Sequence, residues 1–250
     1  MPPDFDKDAM SSHPPALPAH AQPAAAAPDS HPPAALLRMA IAAARSDEDN
    51  GLHRVRLGYL AEALALRLGV DAPRARLLRL AAPLHDIGKL DPADSAPTAT
   101  ERERLRAHPR RGAKLLGGSS LPLFALAAEV ALHHHERWDG QGFPQGLAGH
   151  DIPLSGRIVA VVDHFDALTM DSRFRPAQAD DRALAMLAEQ AGGAFDPAVV
   201  TALQAHAREL IALREWVNDT RPGFGTPLPG TAGLPTDAAD LLRAPSAATA

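Results

Sequence analysis

The residue pattern between positions 35 and 216 is helical almost throughout, and this confines the chain to an all-α fold. Leu52, Val55, Tyr59, Leu60, Ala63 and Leu64 recur at the three- and four-residue steps of one helix face, in a segment that closes near Gly69. Leu77, Leu80, Leu84 and Ile87 continue the stepping. Pro73 suits the opening of that second helix, whereas Pro83 inside it predicts a bend or a break. A short helix is expected over 109–117, starting at Pro109, where a missing N–H does no harm. Another is expected over 122–136, and the glycines of WDGQGFPQG then mark a loop. Helical patterns return at 153–170 and 179–191, and Asp196-Pro197 opens a last helix expected to reach about Trp216. The run IVAVVDHF has the β-branched content of a strand, but no second strand candidate offers it an edge, so helix is expected there too.

Proline separates this region from its flanks. Fourteen of the 24 prolines fall in residues 1–34 and 217–250, which are rich in Ala and lack periodicity. Such segments bury too little apolar surface to offset chain entropy, so a disordered head and a flexible tail are expected. The region 35–216 is long enough for one substantial core. The net charge of −5 does not suit a nucleic-acid polymer as partner. No run approaches a membrane span, and MPPDFDKDAM shows no basic stretch followed by an apolar one. A cytoplasmic address is expected.

There is no cysteine among the 250 residues, but there are 12 histidines. Disulfides, thiolate metal sites and thiol nucleophiles are thereby excluded, and any metal falls to His, Asp and Glu. Several such residues stand at helix ends or on apolar faces: His53, His85-Asp86, His108, His134-His135 and Asp163. Taken singly, each is more often an ordinary polar residue. Asp163 is different in one respect, because a carboxylate behind Ile158, Val159, Val161 and Val162 needs a partner. Together, five imidazoles and two carboxylates without thiolate suit two divalent cations such as iron or manganese. Such a pair, roughly 3.5–4 Å apart, clamps a phosphoryl group.

HDIGK, followed some fifty residues later by HHERWDGQGFP, resembles the HD-GYP subgroup of the HD metal-dependent phosphohydrolases. HxxR at His53, HPRRG at His108, IPLSGRIVAVVDHFDALT around Asp163 and GGAFDPAVV near Asp196 are similar in type and order, covering roughly residues 50–213. The resemblance implies an HD-type helical bundle with a C-terminal helical extension. It also implies hydrolysis of cyclic di-GMP, a bacterial second messenger, to pGpG or GMP by a hydroxide shared between two metals. It assigns His53, His85, Asp86 and Asp163 to one metal, with Asp86 bridging to a second held by His108, His134 and His135. A third metal in some members uses a carboxylate one turn before the first His; here that position is Asp49. Asp86 and Lys89 are the implied catalytic residues, with Lys89 stabilising charge on phosphoryl oxygens. Arg173 and Arg175 are the implied holders of substrate phosphate, together with Lys89.

The pattern is broken in three places. Gly142-Phe143-Pro144 stands where the subgroup has Gly-Tyr-Pro, the segment before His108 is short, and DSRFR at 171–175 shifts one Arg by a residue. Two further readings therefore stay open beside the enzyme. One is a scaffold meeting GGDEF-type proteins through the GFP loop. The other is a hydrolase of another nucleotide.

Overall fold

The computed structural model describes residues 51–90, 101–171 and 176–229. All belong to the unit His31–Ala250; a second unit, Met1–Ser30, lies outside the described residues. Eight helices carry the described chain: α1 Leu52–Arg67, α2 Ala72–Ala81, α3 Glu101–Leu116, α4 Pro122–His133, α5 Leu154–Thr169, α6 Asp180–Glu189, α7 Pro197–Ala205 and α8 Ala207–Thr220. Short 3-10 turns occupy Ala82–Leu84, Ile87–Leu90 and Gly149–Asp151. Among the described residues there is no strand, only an isolated bridge between Ala191 and Phe195. The all-α reading holds, IVAVVDHF included.

α1 is the axis of the fold. Every residue from Arg56 to Ala65 is buried, and a helix covered on all sides must sit at the centre of a core. It packs against α2, α5 and α8. Tyr59, Leu57, Leu60 and Leu64 are joined in the core by Leu84, Leu123, Ile158, Phe165, Leu187 and Leu203. Local signals set the helix starts. Asp71 caps α2 through the Arg74 N–H at 2.9 Å, and Asp196 caps α7 through the Ala198 N–H at 2.8 Å. Pro83 acts as expected: α2 stops at Ala81 and the chain tightens into a 3-10 turn.

The helix expected over 122–136 stops at His133, and three other boundaries differ from the sequence reading. Pro109 does not open a helix but lies inside α3, which begins eight residues earlier. The added turns read ERERLRAH, too charged to show an apolar stripe, and that hid them from periodicity. The single helix expected from 197 to about 216 is two helices, broken at His206 with φ −113° and ψ 19°. α7 lies on α5 and α6, whereas α8 runs along α1; apolar spacing continues across the break and conceals it. At the C-terminal side, α8 reaches Thr220 and the chain then straps onto α1 and α2. The Tyr59 hydroxyl lies 2.7 Å from the carbonyl oxygens of both Gly223 and Thr226, and Arg79 donates to the Thr226 carbonyl at 2.6 Å. Among the described residues no helix is long and apolar enough to cross a membrane.

Candidate metal centre

Five separate pieces of chain converge on one site. His53 comes from the first turn of α1 and Asp163 from α5. His85 and Asp86 lie between the two 3-10 turns that follow Pro83. His108 comes from the middle of α3, and His134 and His135 from the turn that follows α4. Two glycines permit the approach. A Cβ at Gly88 would lie 2.0 Å from the His108 carbonyl oxygen and 2.5 Å from the Gly112 nitrogen, so only hydrogen lets the HDIGK turn dock on α3. The glycine is there for contact and not as a left-handed helix cap. A Cβ at Gly156 would meet His133 Cβ at 2.8 Å, which sets how closely α5 approaches α4.

The ligand atoms form two groups, Asp86 with His108, His134 and His135, and His53 with His85 and Asp163. In the first, His108 Nε2 lies 3.2 Å from His134 Nε2 and 3.1 Å from Asp86 Oδ1. In the second, His53 Nε2 lies 3.3 Å from Asp163 Oδ1 and His85 Nε2 3.9 Å from it. The groups meet where His85 Nε2 comes within 3.3 Å of Asp86 Oδ2.

These atoms fit cations. His85 Nδ1 lies 3.0 Å from the Ala82 carbonyl and His134 Nδ1 3.0 Å from the Ala131 carbonyl. A carbonyl only accepts, so each Nδ1 carries the proton and each Nε2 turns a lone pair inward. Asp86 Oδ1 is buried and makes no hydrogen bond of good geometry. Lone pairs crowded together at buried positions are costly unless a positive charge joins them.

The electrostatics follow from the same arrangement. Burial by itself would raise the Asp86 carboxyl, but His85, His108 and His134 hold it well below the usual range. Asp163 is likewise pulled down against burial, by His53 and His85. Burial, then the neighbouring His134 and His108, push His135 down to about 3. Burial would also lower His53, yet its hydrogen bonds and charge interactions with Asp163 and Asp166 carry it up to about 10. Lys89 reaches back to Asp86 Oδ2 at 2.5 Å with its side chain 45% exposed, so the ammonium stands at the mouth of the site.

Two carboxylates that the sequence reading gave no role support the site. Asp166, one turn beyond Asp163, accepts from His53 Nδ1 at 2.7 Å and from Arg56 at 2.7 and 2.9 Å. Glu136, next after the His pair, is buried and accepts the backbone N–H groups of Gln145, Gly146 and Leu147 at 2.7–3.1 Å. It thereby ties the glycine-rich loop down. The D-x-x-D and H-H-E spacings were the available signals. The GFP turn folds back onto the centre, with the Phe143 ring stacked on His135 at 4.7 Å and 26°. Arg110 donates to the Pro144 carbonyl at 2.6 Å.

All seven expected metal ligands are thus brought together. Asp49, Arg173 and Arg175 lie outside the described residues. His133 and His164 stand beside ligands in sequence but belong to neither group; His133 backs onto Gly156 and His164 packs on Phe195.

A family model described as HD domain matches residues 9–199. Over 174 residues the chain is 41% identical to "Cyclic di-GMP phosphodiesterase response regulator RpfG" of Xanthomonas campestris pv. campestris, covering 67% of this chain and 46% of the relative. Over 182 residues it is 37% identical to "3'3'-cGAMP-specific phosphodiesterase 2" of Vibrio cholerae serotype O1, covering 70% of this chain and 35% of the relative. The chain spans about half or less of the length of these curated relatives. A crystal structure of a cyclic GMP-AMP specific phosphodiesterase of V. cholerae, V-cGAP3, aligns with TM-score 0.53 at 18% identity, covering 68% of this chain and 47% of that one, a likeness of fold.

Proposed function

Because the chain belongs to the HD domain family, in its HD-GYP subgroup, we propose that it is a metal-dependent phosphodiesterase acting on cyclic di-GMP and releasing pGpG or GMP. One observation carries the reading. Two groups of His and Asp ligands stand side by side, joined at Asp86, with a lysine at their mouth. His53, His85 and Asp163 would hold one cation, and His108, His134 and His135 another, with Asp86 offering one oxygen to each side. Iron or manganese suits imidazole and carboxylate without thiolate. Such a pair supplies an activated water and Lewis-acid clamping of a phosphodiester.

The protein's own part is placement and charge. Nδ1–H bonds from His53, His85 and His134 aim their Nε2 atoms inward. The ionised Asp86 keeps its oxygens available. Lys89 exchanges its bond to Asp86 for the phosphoryl oxygens, where negative charge grows. Arg173 and Arg175 are proposed as further phosphate contacts and Asp49 as a ligand to a third ion.

Protein loaded with manganese or iron(II) under reducing conditions is given cyclic di-GMP, and pGpG and GMP are followed by chromatography. Turnover that disappears in Asp86→Ala supports the proposal; no turnover with either metal refutes it. The 37% identity to a relative named for 3'3'-cGAMP makes that dinucleotide the second substrate to assay, and the ratio of kcat/KM values decides between them. A scaffold meeting GGDEF-type proteins through the GFP loop predicts instead that Asp86→Ala leaves the cellular phenotype intact.

A further inference from the structure

Beside the GFP turn, one arginine of α3 lies against an aromatic ring without a charge partner among the described residues. Arg106 is exposed on α3, two residues before the ligand His108. Its guanidinium carbon lies 5.8 Å from the centroid of the Phe143 ring, and that ring is stacked on His135. A chain of contacts thus runs from a proposed metal ligand through an aromatic ring to a cation that has no charge partner among the described residues. Arg110, one turn further along α3, fixes the same turn by donating to the Pro144 carbonyl. Glu136 fixes the turn from the other side. Arg106 makes no hydrogen bond or ion pair with a described residue, unlike Arg56, Arg67, Arg157 and Arg214, each of which has a carboxylate.

From this arrangement we infer that Arg106, steadied by Phe143, binds the phosphodiester of a cyclic dinucleotide that is not being cleaved. The inference rests on the phosphodiesterase reading above and adds a contact to it. A cyclic dinucleotide carries two phosphodiesters, and the metal centre with Lys89 can serve only one. The second stays anionic throughout and needs a cation beside the first. A guanidinium over an aromatic face loses little of its hydration and keeps its N–H edges free to fork a phosphate. The ring also limits the rotamers that binding would otherwise have to freeze. Phe suffices for this role, because the stacking face is the part used and the phenol hydroxyl of the subgroup's Tyr is not.

The test compares two substrates on metal-loaded protein, cyclic di-GMP with two phosphodiesters and bis(p-nitrophenyl) phosphate with one. For Arg106→Ala the KM for cyclic di-GMP should rise about tenfold or more, the worth of a charge-assisted contact, and the rise for bis(p-nitrophenyl) phosphate should be several times smaller. Arg106→Lys should recover part of the loss. Phe143→Leu should reproduce part of it, and Phe143→Tyr should not. An equal rise for both substrates, or none for either, overturns the inference. Metal content measured on each variant separates a damaged centre from a lost contact. Should the parent bind cyclic di-GMP without cleaving it, the phosphodiesterase reading fails, and the ratio of Kd values for parent and Arg106→Ala decides the contact by the same threshold. A parent that neither binds nor cleaves a cyclic dinucleotide overturns both.

Discussion

Asp166 serves three donors at once, and none of them is a metal. Its oxygens take the His53 Nδ1–H and two N–H groups of Arg56, and it is almost wholly buried. The carboxylate fixes the His53 tautomer, and Arg56 makes that buried charge tolerable. An Asp166→Asn variant keeps the shape but aims an amide at a guanidinium. Losing such an outer partner typically costs about 10–100-fold in metal affinity. We expect that loss in the His53, His85 and Asp163 group, with the Asp86 group affected less, as read by competition with a graded chelator. Equal weakening at both groups would mean that Asp166 supports only the fold. The seven candidate ligands could be picked out because their motifs stand close to complete in the sequence, and the fold brings them into two groups. Asp166 and Glu136 lay inside the same motifs without a role, since their partners are tertiary. Arg56 is 110 residues from Asp166, and no spacing rule spans that distance.

At the level of elements, the site depends on how closely a turn approaches a helix. Asp86 meets His108 only because Gly88 lies against the α3 backbone. Gly88→Ala forces the two apart, and overpacking of this kind costs about 1–3 kcal/mol. The predicted result is a lower midpoint in urea together with loss of about one metal per chain, the one shared by Asp86, His108, His134 and His135. Stability lost with full metal content retained would show that the contact is not what holds the second group. From sequence, HDIGK advertised its His and Asp, while nothing local to the motif shows what the glycine touches. Its true constraint lies in the chain facing it. α3 was half legible for a related reason: only its second half, from His108 to Leu116, carries enough apolar residues to show a face. Pro109 was then mistaken for a start. The prolines at 73, 83 and 197 were read correctly because their effect is local to the backbone.

Across the whole molecule, the candidate ligands come from chain positions 53 to 163 and meet only when the helices are assembled. Metal bound to the folded state and not to the unfolded chain stabilises it, by about 2.7 kcal/mol at a hundredfold excess over Kd. For a domain of this size that corresponds to a rise in Tm of roughly 5–10 °C. His53 makes the gain depend on pH. In the metal-free fold its pKa is raised to about 10, against 6.5 for the ordinary group. A raised histidine contributes stability that is fully present below pH 6.5 and fades as the pH climbs towards 10. A cation on His53 Nε2 must displace that proton, so its apparent affinity rises with pH, by up to about tenfold per unit across the same window. His135, held near 3, has no proton to lose at neutral pH. Both trends come from the same His53 proton, and its displacement alone sets the pH dependence of the difference between loaded and chelator-treated protein. The Tm gap between them should therefore widen from pH 6.5 to pH 8.5 at fixed free manganese. Calorimetric titration in buffers of different ionisation enthalpy should find about one proton released as the His53 group fills. A gap that stays constant, with no proton released, would place the cation elsewhere than on His53.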